Sequence, residues 1–246
     1  MGATRRIALI SDIHGNEIAL RATLRSIAAR GVDEIVCLGD VATLGAAPGE
    51  VIDILQQLGC ACILGNHDEY LLDPNLTDSH NELPHIVEAI DWCREQVLRE
   101  QLKFVSGFAP GLSLDLGHGN TLRLYHGSPG SNVVDLFSQT DPDTFDGLLG
   151  PERATVMAGG HTHLQMLRQH RGSLVVNPGS VGAPFREVPR FGPPRLLPHA
   201  EYATVEAAGA DVTVQLHRVA LDGKALARAA LASDNPMREE LAANYL

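Results

Sequence analysis

By Asp68 this chain has made the same move three times: a short apolar run ends beside a small residue, and an acid or amide follows at once. Arg5-Arg-Ile-Ala-Leu-Ile-Ser11 leads into Asp12-Ile-His14-Gly-Asn16, Glu34-Ile-Val-Cys-Leu38 into Gly39-Asp40, and Cys60-Ala-Cys-Ile-Leu64 into Gly65-Asn-His-Asp68. Between these runs the apolar spacing turns helical. Leu20, Leu24, Ile27 and Ala28 follow a cap at Asn16 and stop at Gly31, while Val51, Ile54, Leu55 and Leu58 mark one face of residues 50–58. Strand, helix, strand, helix, strand predicts a parallel sheet with helices packed on it, because parallel neighbours need a crossover between them.

Residues 84–101 also have helical spacing, with Ile86, Ile90, Trp92, Val97 and Leu98 facing inward. Residues 112–116 and 120–125 alternate apolar and polar about Gly117-His118-Gly119, which predicts a hairpin whose second strand ends at His126-Gly127. The apolar run 154–158 enters Gly159-Gly-His-Thr-His163, and strands are expected at 164–169, 173–177, 201–207 and 212–221, giving this half a mixed or antiparallel sheet. Residues 184–198 hold five prolines and predict an ordered surface loop or a flap over the site. One domain is expected over 1–246, with 222–246 a C-terminal helical extension. No repeat or linker argues otherwise.

Composition narrows the function. No apolar run approaches the roughly 20 residues of a membrane-spanning helix, and the Ile7 to Ile10 stretch is too short for a secretory signal, so a cytoplasmic protein with no membrane partner is expected. A net charge of −11 opposes loose binding to nucleic-acid backbones. The four cysteines, Cys37, Cys60, Cys62 and Cys93, lack C-x-x-C spacing and are expected to be reduced thiols. Histidine is unusual: of eleven, several fall beside Asp, Asn and Gly in short loops.

In α/β sheets, ligands gather beyond the C-terminal ends of the strands, so Asp12, His14, Asp40, Asn66, His67, His126, His161 and His163 are expected to converge. Singly these motifs say little, since Gly and Asp are common turn formers. Gly65-Asn-His-Asp68 says more, because a structural turn seldom needs His there. In an extended Gly160-His-Thr-His163 the two imidazoles would point the same way. Carboxylates, an amide oxygen and neutral imidazoles suit two divalent cations of the Mn, Fe or Zn kind, which about 3.5–4 Å apart can clamp an in-line phosphoryl displacement. Asp40 is the expected bridge between them. Gly127-Ser-Pro-Gly130 and Gly179-Ser180 are expected to serve turn geometry, and His80, His85, His118, His170, His199 and His217 surface or packing roles.

Taken in order, these motifs resemble the calcineurin-like metallophosphoesterase superfamily, and Ser11-Asp-Ile-His-Gly-Asn16 with Asn177-Pro-Gly-Ser-Val-Gly182 is similar to its bacterial and archaeal predicted phosphodiesterases. The resemblance implies a four-layer α/β/β/α sandwich with two central mixed β-sheets. It implies one metal on Asp12, His14, Asp40 and His163 and a second on Asp40, Asn66, His126 and His161, Mn being expected and Fe, Zn or Ni the alternatives. It further implies a metal-bridging hydroxide as nucleophile, His67 as general acid, and Asp68 fixing the His67 tautomer.

Two departures bear on substrate. Protein phosphatases of this superfamily carry an Asp-Arg-Gly that grips phosphate; here the text is Gly39-Asp-Val-Ala-Thr-Leu-Gly45, which argues against phosphoproteins. Relatives often place an aromatic residue near Leu44. The expected activity is hydrolysis of a phosphodiester in a small substrate such as a nucleotide. A phosphomonoesterase, a dinucleoside polyphosphate pyrophosphatase and a non-catalytic protein-binding scaffold on the same fold stay open, and neither the substrate-binding residues nor the oligomeric state are assigned.

Overall fold

The structure is a computed structural model that describes residues 4–80, 82–189 and 194–246. In chain order its elements are β1 (Arg5–Ile10), α1 (Glu17–Ala28), β2 (Glu34–Cys37), α2 (Pro48–Leu58), β3 (Ala61–Cys62), α3 (Asn66–Leu72), α4 (Asn75–Ser79), α5 (Pro84–Gln96), α6 (Arg99–Val105), β4 (Leu112–Gly117) and β5 (Asn120–Leu124). There follow α7 (Pro142–Leu149), β6 (Val156–Ala158), β7 (Met166–His170), β8 (Ser173–Asn177), β9 (His199–Ala208), β10 (Asp211–Ala220), α8 (Gly223–Ala232) and α9 (Arg238–Tyr245).

Two five-stranded sheets result, ordered β10-β9-β1-β2-β3 and β4-β5-β6-β8-β7. In the first, β1, β2 and β3 are parallel and β9 and β10 antiparallel. In the second, β5, β6 and β8 are parallel, flanked by antiparallel β4 and β7. Both sheets are therefore mixed, as expected.

Alternation along β1 shows why the layers stack. Ala8 and Ile10 enter a core shared with α1 and α2, while Ile7 and Leu9 face the second sheet and meet Leu122, Leu124, Val156 and Val176. A strand buried on both faces needs an unbroken apolar run, which is what β1 has. On the far face of the second sheet, Tyr125, Met157 and Val175 pack under Phe145 and Leu149 of α7. Helices, sheet, sheet and helix form the four-layer α/β/β/α sandwich.

Several local readings change. Gly65-Asn-His-Asp68 is the first turn of α3, with Gly65 as its N-cap, and not a free loop. The helix expected over 84–101 breaks at Val97 and Leu98 into α5 and α6, where the Gln101 side chain accepts the Leu98 N–H and caps the new helix. The chain beyond Asp222 is the helical pair α8 and α9. All four cysteines are free, and Cys37 and Cys62 are register partners on β2 and β3. No helix among the described residues is long and apolar enough to cross a membrane.

Candidate metal centre

β1, β2 and β3 of one sheet and β5 and β6 of the other all release their chains toward one point. Asp12 and His14 follow β1, Asp40 follows β2, Asn66 opens α3 after β3, His126 follows β5, and His161 and His163 follow β6. All except His161 are buried. Asp12, His14 and His163 form one group and Asp40, His126 and His161 another, the ligand atoms within each lying no more than 4.8 Å apart. The groups abut: Asp40 Oδ2 lies 3.3 Å from His126 Nε2 and 3.8 Å from His14 Nε2, so one oxygen faces both sets, as a bridge requires. Asn66 Oδ1 joins the second group, 3.1 Å from His126 Nε2.

Strain marks the same residues. Asp12, His14, Asp40, His161 and His163 all have left-handed backbones, with φ between 46° and 71°. Each such residue costs about 1–3 kcal/mol and persists where surrounding contacts over-determine it. His161 and His163 are consequently not in an extended segment, and their rings do not share a direction. His161 joins Asp40 and His126, whereas His163 joins Asp12 and His14. Two glycines make room. A Cβ on Gly65 would run into the Asp40 carboxylate, and one on Gly160 into Ser11 and Asp12.

Hydrogen bonds fix two imidazole tautomers. His126 Nδ1 donates to the Leu38 carbonyl and His163 Nδ1 to the Ala183 carbonyl, each at 2.7 Å, so each Nε2 presents a bare lone pair to the centre. His163 Nε2 lies 3.0 Å from His14 Nε2, and His126 Nε2 faces an amide oxygen and a carboxylate oxygen. Acceptor atoms this close repel one another unless a proton or a cation stands between them, and the contact of His14 Nδ1 with the Thr43 hydroxyl leaves the His14 tautomer open to either. Burial pushes the Asp12 carboxyl up to about 6 and that of Asp40 up to about 7, holds His163 at about 4, and holds His14 well below the usual imidazole range. Among the described residues no Lys or Arg pairs with Asp12 or Asp40, so the donor set fits divalent cations.

Asp68 does not do what the sequence suggested. Its carboxylate accepts the backbone N–H groups of Asp40, Gly65 and Val41 at 2.8, 2.9 and 2.9 Å. Successive residues of a helix point in different directions, so Asp68 turns toward the end of β2 and leaves His67 Nδ1 buried without a partner among the described residues. It therefore sets the position of Asp40 through the backbone. The Asp40 Oδ1 atom in turn accepts the His67 N–H at 2.9 Å, which leaves Oδ2 for the centre. His67 is partly exposed, with its ring 5.0 Å from that of His14, and burial among the imidazoles of His163, His161 and His126 holds it neutral.

Tyr70 was not anticipated. It is fully buried one helical turn after Asn66, and its hydroxyl receives Asn66 Nδ2 at 3.4 Å, lies 2.9 Å from His80 Nδ1 and donates to Glu82 Oε1 at 3.0 Å. That contact turns the Asn66 oxygen toward the centre. The i, i+4 spacing of Asn66 and Tyr70 is the sequence signal for it. Asn177-Pro-Gly-Ser serves geometry: the Asn177 side chain holds the Gly160 carbonyl and the Gly179 N–H, and the Ser180 hydroxyl donates to the Asp12 carbonyl. The proline-rich segment reaches the centre, with Phe185 packed 4.3 Å from the His163 ring and Leu197 N–H bonded to the Pro184 carbonyl. Residues 190–193 of that loop lie outside the described residues.

Residues 6–197 match the calcineurin-like phosphoesterase superfamily domain. The chain is 31% identical over 193 residues to the uncharacterized protein MJ0912 of Methanocaldococcus jannaschii, covering 72% of this chain and 76% of that one. Its fold is similar to the crystal structure of hypothetical protein PH1004 from Pyrococcus horikoshii (TM-score 0.80, 19% identity, 97% and 96% of the two chains). It is also similar to that of a metallophosphoesterase from Sphaerobacter thermophilus (TM-score 0.71, 22% identity, 98% of each). With the five motifs in family order and their side chains gathered at one buried point, the chain belongs to the calcineurin-like phosphoesterase superfamily, in its archaeal and bacterial branch, and is a metal-binding hydrolase by family.

Proposed function

We propose that this protein is a phosphodiesterase working with two divalent cations, one held by Asp12, His14, Asp40 and His163 and the other by Asp40, Asn66, His126 and His161. The observation that carries the reading is the convergence of imidazole lone pairs and carboxylate oxygens on one buried point. Manganese is the expected metal, with Fe, Zn or Ni the alternatives, because oxygen and nitrogen ligands without a thiolate suit these ions. When bound, the two cations supply Lewis acidity, ionising water near neutral pH and offsetting charge on phosphoryl oxygens.

The chain's residues do the rest. Asp40 is locked by the N–H of His67, and Asn66 is aimed by Tyr70. His67 stands beside the centre as proton donor to the departing oxygen. Neighbouring imidazoles favour its neutral form, and the negative charge of a bound phosphate acts in the opposite direction, so its protonation belongs to the substrate complex. The loop after β2 brings no Arg to grip a dianion, which favours the single charge of a diester over a monoester or a phosphoprotein. A non-catalytic scaffold has no use for so complete a donor set held in strained backbone.

Protein purified without chelators should hydrolyse bis-p-nitrophenyl phosphate and members of a nucleotide diester panel, with stimulation by Mn²⁺ and loss in EDTA. Absence of metal-stimulated turnover on every substrate would overturn the reading. Replacing His67 with Ala should slow esters with poor leaving groups at least 10-fold more than activated aryl esters, within the usual 10²–10⁴-fold worth of acid catalysis. An equal loss on both contradicts the proton-donor role.

A further inference from the structure

Beside the metal centre lies a cavity of about 740 Å³ to which His67 and His163 both contribute wall, so it opens on the reacting position. Its other walls come from four separate stretches of chain: Leu44 after β2, Ile86 at the start of α5, Phe185 and Leu196 of the proline-rich segment, and Met237 near the end of the chain. A volume of this order holds a drug-sized organic group. A phosphate and its cations alone do not require it.

The polar groups in this wall define the occupant. Glu82, His85, Glu240 and Asn244 line the cavity, beside the two histidines at its junction with the centre. The Tyr70 hydroxyl occupies and fixes Glu82 Oε1, and among the described residues Oε2 has no protein donor. Among the described wall residues the two carboxylates disfavour a further phosphate, and with the Asn244 amide oxygen they accept hydrogen bonds from hydroxyl or amino groups. An acyl chain would leave both unanswered, whereas an uncharged ring system carrying such donors satisfies walls and carboxylates together.

We infer that this cavity is the leaving-group subsite, and that the alcohol it takes is uncharged, ring-bearing and of nucleoside size, with hydrogen-bond donors directed at Glu82 and Glu240. The inference rests on the phosphodiesterase reading for the word leaving-group, since His67 stands at the junction of cavity and centre. It sets the dinucleoside polyphosphates aside, because their second half brings further phosphate into a wall that carries carboxylates.

The test separates subsite from chemistry. Ligand-observed NMR on the metal-free, full-length protein compares adenosine with adenosine 5′-diphosphate. Adenosine should bind at least 10-fold more tightly, and Met237→Lys should weaken it at least 10-fold. Ile86→Lys, on another element with a half-buried side chain, should do the same if the first variant does not fold. Adenosine binding that is absent, that no longer exceeds diphosphate binding, or that survives both substitutions in folded protein overturns the subsite, whatever the enzyme hydrolyses. Adenosine that binds as described, with no metal-stimulated hydrolysis of any diester, supports the subsite while sinking the phosphodiesterase reading.

Discussion

Asp68 shows how a motif residue can be recognised correctly and given the wrong partner. The sequence places a carboxylate next to His67, but helix geometry turns it to three backbone N–H groups, two of them at Asp40 and Val41. Asp68→Ala strands those buried donors, at about 1–3 kcal/mol for an unsatisfied group. It should therefore lower both the urea midpoint and the Mn²⁺ affinity, measured by equilibrium denaturation and metal titration. Lost activity with unchanged stability would restore the role of His67 partner. Tyr70 gives a second case. Tyr70→Phe removes the acceptor of Asn66 Nδ2 and frees the amide to turn, and a supporting partner of a metal ligand is typically worth 10–100-fold in affinity. We expect roughly 10-fold weaker Mn²⁺ binding with the fold intact, read by metal titration alongside circular dichroism. An unchanged affinity contradicts the positioning role.

Among the elements, the junction of β3 with α3 is the most tightly specified. Gly65 caps the helix, Asn66 turns its amide oxygen to the centre and His67 supplies both a backbone donor to Asp40 and a side chain at the cavity, all in consecutive positions. Gly65→Ala drives a methyl into the Asp40 carboxylate. Overpacking of this kind costs about 1–3 kcal/mol and displaces the shared ligand, so the variant should lose bound metal at both positions while keeping its far-UV spectrum. Retention of full metal content would show that Asp40 is not shared. The elements themselves were unevenly legible. β1, β2 and the two helices between the first three strands follow apolar runs and spacing that local rules read directly. The α5 to α6 break has no Pro or Gly at Val97 and Leu98, and it depends on Gln101 turning back to cap, which spacing alone does not reveal. The short α7 sits in a polar, Asp-rich stretch, and its role comes from covering Tyr125, Met157 and Val175 of the second sheet.

At the scale of the molecule, the two sheets act as one frame. The parallel strands of each end at the same edge, so residues as distant as Asp12 and His163 become neighbours, with Asp12 Oδ1 3.5 Å from His163 Nε2. This is why the convergence of these side chains could be read from sequence: the motifs follow apolar runs, and the ends of parallel strands converge by topology. The cavity could not be found in the same way. Its walls are drawn from stretches between Leu44 and Asn244 that share no pattern, and only the folded chain brings them together. Of the six histidines without a motif, His80 and His85 turn out to matter, one supporting Tyr70 and the other lining the cavity. The central claim is that the donor set holds two cations through a shared Asp40. Elemental analysis of the protein after saturation with Mn²⁺ and removal of free ion tests it most directly. The account predicts two manganese ions per chain. One ion or none, in folded protein, would contradict it.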